Sequence, residues 1–310
     1  MILSLRLTDR HTACGLLGCC AAILLTVMPG CSNGSKPAGM IPIQAHRGGG
    51  ERVPENTLEA FEYAWKLGTI PEADVRTSRD NVLVAFHDTS FKRLVKDVPP
   101  ELQSKKVSDL TWDELAKLDV GAWKGPQFAG QRIPQLREVY AVLRKHPDRE
   151  LYVDVKEADV DAIAALAREF GVPRQLILAS PDPEAVRRWL ELLPESQTLH
   201  WMGGKPDDIQ KRFAKLQSEG FPGITQLQIH VTVAKPGTED PFVPSSAFLR
   251  SVAKELKQRG ILFQVWAIKA TEVSHYEALL ARGVQSFATD HPEIAIEAAR
   301  RHEVSQARGR

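Results

Sequence analysis

LYVDVKEADVDAIAALAREFGVPRQLILAS, residues 151–180, holds the architecture in miniature. The apolar run Leu151–Val155 has strand character, Val160–Phe170 repeats its apolar residues at helical spacing, and Leu176–Ala179 is a second short apolar run. Two short strands joined by a helix make a parallel unit, since a parallel pair needs a crossover of about a dozen residues. Outward from this stretch the alternation continues. Ile41–Ala45, Glu72–Val75, Val82–Phe86, Thr198–Trp201, Ile224–Ile229, Ile261–Ala267 and Gln285–Ala288 are further candidate strands. Thr57–Leu67, Ile133–Lys145, Pro183–Leu192, Asp207–Ser218, Ser245–Arg259 and Thr271–Arg282 have helical periodicity. About eight such units in about 270 residues predict a closed (β/α)8 barrel. Nine strands compete for eight places, and the surplus one is Thr198–Trp201 or Ile224–Ile229.

One connection departs from the alternation. The six residues between Val75 and Val82 are too few for a parallel crossover, so these strands, the second and third, are expected to form a hairpin turning at Asp80–Asn81. The expected register sets Asp74 opposite His87, with Glu72 one pair further along.

The 310 residues are 43% hydrophobic and 25% charged, with a net charge of +1. That is a globular composition without the basic excess of a nucleic-acid binder, so any phosphate chemistry must be local. Residues 1–31 have the form of an export signal: Arg6 and Arg10 precede an uncharged apolar stretch from Ala13 to Met28, broken at Pro29-Gly30-Cys31. The stretch is shorter than the roughly 20 residues of a membrane span. A small residue before Cys31 and a polar tether at 32–40 resemble a lipoprotein signal with Cys31 lipidated; the alternative is a plain secretory signal cut nearby. The expected location is therefore periplasmic or cell-surface, with the membrane met only through a lipid anchor, or else secreted. All four cysteines precede residue 32, so the exported domain has no disulfide, thiol nucleophile or zinc-thiolate site. The barrel domain is assigned to 41–300 and a polar tail to 301–310.

The chemistry-bearing residues cluster at strand ends. Glu72 and Asp74, two apart on a strand, share a face, and paired carboxylates of this kind suit a hard divalent cation, Ca²⁺ or Mg²⁺. Taken alone, the pair equally describes a solvated strand face. Asp154 and Lys156 repeat the spacing beyond a buried run, either as metal ligand and anion contact or as a mutual salt bridge. His46-Arg47 ends the first strand and leads into three glycines, which would let backbone amides approach an anion while Arg47 forks onto phosphate oxygens. With His87, the rim gathers two histidines, three carboxylates and two cations. This is the equipment for acid/base cleavage of a metal-bound phosphodiester.

HRGGGERVPENTLEAFEYA (46–64), EADVRTSRDNVLVAFHD (72–88), VSDLTWDELAKLDVG (107–121), RIPQLREVYAVL (132–143), LYVDVK (151–156) and GVQSFATDHPEIA (283–295) together resemble the glycerophosphodiester phosphodiesterase family. The resemblance implies a TIM-like barrel and hydrolysis of small glycerophosphodiesters to an alcohol and glycerol 3-phosphate. It implies His46 and His87 as acid/base groups, Glu72, Asp74 and Asp154 as ligands of one divalent cation, and Arg47 and Lys156 as phosphate contacts. Asp154 stands where that family usually has Glu. Glu55 is close enough in sequence to His46 to bond the site, and Asn56 is expected to cap the helix beginning at Thr57. Trp266 either walls the pocket or packs as a core indole. The alternatives are a lysophospholipase D-like enzyme and a non-catalytic ligand-binding lipoprotein on the same barrel.

Overall fold

The computed structural model describes residues 41–235 and 237–308. The export signal, Cys31 and the tether lie outside the described residues. Ten strands form one sheet: β1 (Ile43–Ala45), β2 (Ile70–Thr77), β3 (Leu83–Ala85), β4 (Leu151–Glu157), β5 (Leu176–Ser180), β6 (Gln197–Met202), β7 (Gln226–Val233), β8 (Phe242–Val243), β9 (Leu262–Ile268) and β10 (Ser286–Thr289). All except β3 and β8 are parallel and close an eight-stranded ring, with β10 and β2 both pairing to β1. The helices are α1 (Leu58–Lys66), α2 (Trp112–Leu115), α3 (Leu136–Lys145), α4 (Val160–Phe170), α5 (Pro183–Leu192), α6 (Pro206–Glu219), α7 (Ser246–Arg259), α8 (Val273–Leu280) and α9 (Pro292–Arg308). Each ring strand is followed by one helix, with α2 lying in an insert between β3 and α3. This is the predicted TIM-like (β/α)8 barrel.

Two expectations are corrected. Thr198–Trp201 and Ile224–Ile229 both supply ring strands, β6 and β7, and the strand left outside is Val82–Phe86, which pairs antiparallel on β2 as β3. The hairpin therefore forms, but one residue out of the expected register. Val75 pairs with Ala85 and the Phe86 amide donates to the Asp74 carbonyl at 2.8 Å, so Phe86, not His87, faces Asp74. A one-residue slip exchanges the two faces of a strand. His87 is instead the second residue past β3 and leaves the ladder altogether. Residues 301–308 continue α9, whose Ala295, Ala298 and Ala299 are buried against the barrel.

The main core lies between the outer face of the ring and the helices, where Val153, Leu178, Leu227, Phe263 and Phe287 meet residues such as Leu143, Trp189 and Leu256. The insert builds a separate core around Phe86, Phe91, Leu94, Leu115 and Ile133. Inside the ring one side is apolar, formed by Ile70, Tyr152, Ile177, Ala179 and Leu199. The other side is a ladder of amides. Tyr152 donates to Gln226 at 2.8 Å, Gln264 reaches the Tyr152 hydroxyl at 3.2 Å and Ser286 at 2.9 Å, and Gln228 donates to Gln264. Gln44 ends it by donating to Glu72 at 2.9 Å. Buried polar groups are tolerable when each finds a partner, and a connected set fixes side-chain orientation. This ladder is the floor on which the site stands.

Candidate active site

Ring register brings the carboxylates together. Asp74 of β2 pairs with Asp154 of β4, in phase, so both side chains enter the barrel, and Glu72 follows on the same face of β2. One oxygen from each of the three lies within 4.8 Å of the others, and all three residues are buried. Lys156 Nζ is 2.7 Å from Asp154 Oδ2 and 3.2 Å from Asp74 Oδ1. Asp154 Oδ1 is buried without a hydrogen-bond partner. A buried carboxylate oxygen left unpaired among three converging acids fits a divalent cation with hard oxygen ligands. Burial raises the Asp154 pKa despite Lys156, and the negative charges of Glu72 and Asp74 push it the same way. Burial would raise that of Asp74 as well, but Lys156, His87, Arg47 and the Asn56 hydrogen bond bring it below the ordinary carboxylate value.

Asn56 does not cap α1. Thr57 does, its hydroxyl accepting from the Ala60 amide at 3.1 Å. Asn56, in a left-handed conformation at φ 54°, reaches across to donate to Asp74 Oδ2 at 2.7 Å and to accept from the Asp74 amide at 3.0 Å. The residue expected at a helix end therefore orients one of the candidate metal ligands. A second group within ligating distance, Glu55, His87 and Asp88, is already held by arginines: Arg93 donates to Glu55 at 2.6 and 2.7 Å and to Asp88 at 2.7 and 2.8 Å.

Both histidines are backed by an aspartate. His46 Nδ1 donates to Asp290 Oδ1 at 2.6 Å. His87 Nδ1 lies 2.8 Å from Asp88 Oδ1, and its Nε2 lies 3.0 Å from Arg47 Nη2. A guanidinium only donates, so His87 Nε2 carries a lone pair and the ring is the neutral Nδ1–H tautomer. For His46, burial lowers the pKa, but the Asp290 hydrogen bond and the charges of Glu72 and Asp290 outweigh it and leave it above the ordinary imidazole value. One ring is thus set to give a proton and the other to take one. Arg47 is pinned between His87 and Glu55, donating to Glu55 at 2.8 Å from its other terminal nitrogen, while its Nε is buried without a partner. Arg76, two residues beyond Asp74 and on the same face, clamps the His87 carbonyl from Nε at 3.1 Å and Nη2 at 2.7 Å. That clamp replaces the ladder contacts His87 lost by leaving β3.

Sequence reasoning missed Asp290, Asp88, Arg93 and Arg76. The signal for Asp290 was present: it directly follows β10, at the strand end where barrel sites collect, and β1 pairs with β10 so that Ala45 meets Thr289. The glycines after Arg47 also have a different reason from the expected one. The Gly48 and Gly50 amides are used in the turn, donating to Ala45 and His46 carbonyls, both at 3.0 Å. Gly50, at φ +54°, passes so close to β10 that a Cβ would stand 2.2 Å from the Asp290 carbonyl oxygen. Glycine there allows the approach that joins His46 to Asp290.

Two cavities meet at this pair. The inner one, of about 180 Å³, is lined by Gln44, His46, Arg47, Glu72, His87, Asp154, Lys156, Trp201, His230 and Trp266, with Ala179, Leu199, Gln228 and Ala288 completing it. The outer one, of about 600 Å³, shares His46, Arg47 and Trp266 and adds Glu51, Glu55, Arg93, Trp123, Lys124 and Asp290. Trp266 therefore walls both, its ring centroid 4.8 Å from that of His46.

Residues 46–294 match the glycerophosphoryl diester phosphodiesterase family. The chain belongs to this family. It is 26% identical over 265 residues to the glycerophosphodiester phosphodiesterase of Caldanaerobacter subterraneus subsp. tengcongensis, covering 83% of this chain and 97% of that one. Its fold is similar to the crystal structure of the glycerophosphodiester phosphodiesterase of Agrobacterium tumefaciens, with a TM-score of 0.63 at 22% identity over 83% of this chain and all of the other. It is likewise similar to an Oleispira antarctica phosphodiesterase solved with the product sn-glycerol-3-phosphate, with a TM-score of 0.64 at 23% identity over 84% and 97% of the two chains. As a family member the chain is a phosphoric diester hydrolase.

The family member's pH profile should report the His46–Asp290 pair. Asp290→Asn removes the charge and weakens the hydrogen bond that hold the His46 pKa up, so the alkaline limb of kcat/KM should move to lower pH while the acid limb stays. An alkaline limb unchanged in this variant would mean that His46 does not set it.

Proposed function

We propose that the enzyme hydrolyses glycerophosphodiesters to an alcohol and glycerol 3-phosphate, with His87 as base and His46 as acid. The observation that carries this reading is the pair of aspartate-backed imidazoles that line one cavity with Arg47 and the acidic cluster. Once Arg47 turns from it onto the phosphoryl oxygens, His87 Nε2 takes the proton of the nucleophile as its oxygen bonds to phosphorus; the nucleophile is water, or the neighbouring glycerol hydroxyl, in which case water then opens the resulting cyclic phosphate to glycerol 3-phosphate. The bond from phosphorus to the leaving alkoxide breaks, and His46 gives that oxygen its proton from Nε2 while Asp290 steadies the ring through Nδ1. Arg47 and Lys156 balance charge on the phosphoryl group. A divalent cation held by Glu72, Asp74 and Asp154 would add Lewis-acid stabilisation of that charge.

The test is release of glycerol 3-phosphate from glycerophosphoethanolamine with and without EDTA. Metal-dependent release is expected; equal release with and without EDTA would remove the metal from the mechanism, and no release of glycerol 3-phosphate or of any alcohol would overturn the proposal. A lysophospholipase D-like activity would show as turnover of lysolipids, which the small inner cavity, of about 180 Å³, disfavours. The sequence of residues 1–40 supports an exported enzyme anchored through Cys31. Palmitate should then label the wild type in cells and not Cys31→Ser; equal labelling of both would remove the anchor.

A further inference from the structure

His87 has to hold its aim without the support of a strand. It is the second residue past β3, and the pairing of β3 with β2 ends at Ala85 and Val75. Its side chain is 30% exposed, twice the 15% of His46, so packing restrains it less. What holds its backbone is Arg76, which donates to the His87 carbonyl from Nε at 3.1 Å and from Nη2 at 2.7 Å.

Arg76 is a buried cation, 5% exposed. Its remaining terminal nitrogen, Nη1, lies 2.6 Å from Glu157, which is itself half-exposed. Among the described residues it bonds only the His87 carbonyl and Glu157, and none of Glu72, Asp74 and Asp154. Taking a charge out of water is costly, and an apolar side chain of similar size would fill such a place without that cost. The guanidinium therefore serves the group it grips.

The sheet departs from regular pairing to allow this grip. Val75 pairs with Val155 but Arg76 pairs with Glu157, so β4 carries one extra residue here, Lys156. In unbroken register Arg76 would lie beside Lys156, cation against cation. The bulge sets Glu157 beside Arg76 instead, while Lys156 turns to Asp154 and Asp74. Bulges next to active sites commonly re-aim a side chain in this way.

We propose that Arg76, itself held by Glu157, is a positioning residue for the hydrolysis: it fixes the backbone of His87 so that Nε2 keeps its aim at the nucleophile. This rests on His87 being the base. The strands that carry the three carboxylates, β2 and β4, then also set the base, and the two halves of the site keep one geometry. Arg76 borders a further cavity of about 300 Å³ with His87, Asp88, Thr89, Ser90 and Lys156, so contact with a substrate anion there is the competing role.

The experiment places Arg76→Met and Arg76→Lys in the wild type and in His87→Ala, with glycerophosphoethanolamine and the p-nitrophenyl ester of glycerol 3-phosphate as substrates. Misplacing a catalytic group by about 1 Å costs on the order of 10²-fold, so Arg76→Met should lower kcat about 10- to 100-fold with KM within about threefold. Arg76→Lys keeps the charge and one donor group and should recover part of the loss. The loss should be equal on the two esters, because a leaving group that needs no proton masks a faulty acid and not a faulty base. The double variant decides. A residue that acts only through His87 has nothing to act through once the imidazole is gone, so in His87→Ala the Arg76→Met change should cost less than about twofold. The full loss repeated in that background, or a raised KM with unchanged kcat, would overturn the proposal and assign Arg76 to the phosphate or the fold. Should Arg76→Met fail to fold, Glu157→Gln runs the same cycle from a residue that is 42% exposed. It should lower kcat about three- to tenfold in the wild type and leave His87→Ala unchanged, and no loss in the wild type or an equal loss in both would overturn the proposal. Wild-type kcat in His87→Ala would instead remove the base reading beneath it.

Discussion

Replacing His46 or His87 with alanine is expected to lower kcat by about 10²–10⁴ each, the usual worth of one positioned acid or base. The losses should differ with the leaving group. In the proposed mechanism His46→Ala removes the group that protonates the leaving oxygen, so its deficit should shrink for p-nitrophenyl esters, whose leaving group needs no proton. On the same mechanism His87→Ala removes the base that frees the nucleophile, and its deficit should persist for both kinds of ester. Neither ring is among the three carboxylates, so metal affinity measured by calorimetry should stay near the wild-type value. A variant of either histidine with wild-type kcat would refute the two-histidine mechanism.

Asp154→Asn is expected to abolish most of the thermal response to metal without harming the fold. The cluster sets three carboxylates against one ammonium, that of Lys156, so a divalent ion restores near neutrality. Without metal, burial raises the Asp154 pKa, with Glu72 and Asp74 adding to the rise, and an asparagine imitates the protonated form. The sign follows. An acid whose folded pKa is raised loses its favourable contribution as pH climbs through that value, so the metal-free wild type should weaken toward alkaline pH and the variant should not. Metal competes with that proton, and its affinity for the wild type should rise with pH over the same range. Saturation at a hundredfold excess over Kd adds about 2.7 kcal/mol, which for a domain of this size raises Tm by roughly 5–10 °C. The variant should show little of this rise and an equal or higher Tm without metal. Titration with Ca²⁺ and with Mg²⁺ identifies the ion. If the variant bound metal as tightly as the wild type and melted much lower without it, Asp154 would be a structural partner of Lys156 and no ligand.

The alternation that starts from residues 151–180 was enough to predict the barrel, because side-chain periodicity reports which face of one element is apolar, and that information is local. The same locality made His46, Glu72, Asp74, His87 and Asp154 legible: each sits in or just beyond a recognisable strand within a short motif. Sequence did not show which strand stands outside the ring. An apolar run such as Val82–Phe86 looks alike whether its partners are parallel or antiparallel, and only pairing with β2 decided it. The hairpin register failed for a related reason. Phe86 and His87 are interchangeable by count, and the packing of Phe86 into the insert core, 5.4 Å from Phe91, fixes which one faces the ladder.

Chain order and residue type by themselves determined the barrel, the polar rim and the family chemistry. Tertiary structure alone decided how those groups are tuned. Asp290 reaches His46 from 244 residues away, Asn56 orients Asp74 instead of capping a helix, and Gly50 exists for the close passage of β10. Trp201, His230 and Trp266 become a single wall only when β6, β7 and β9 lie side by side. Proton state, unpaired donors and close approach arise from contacts between distant segments, and no periodicity within one segment encodes them.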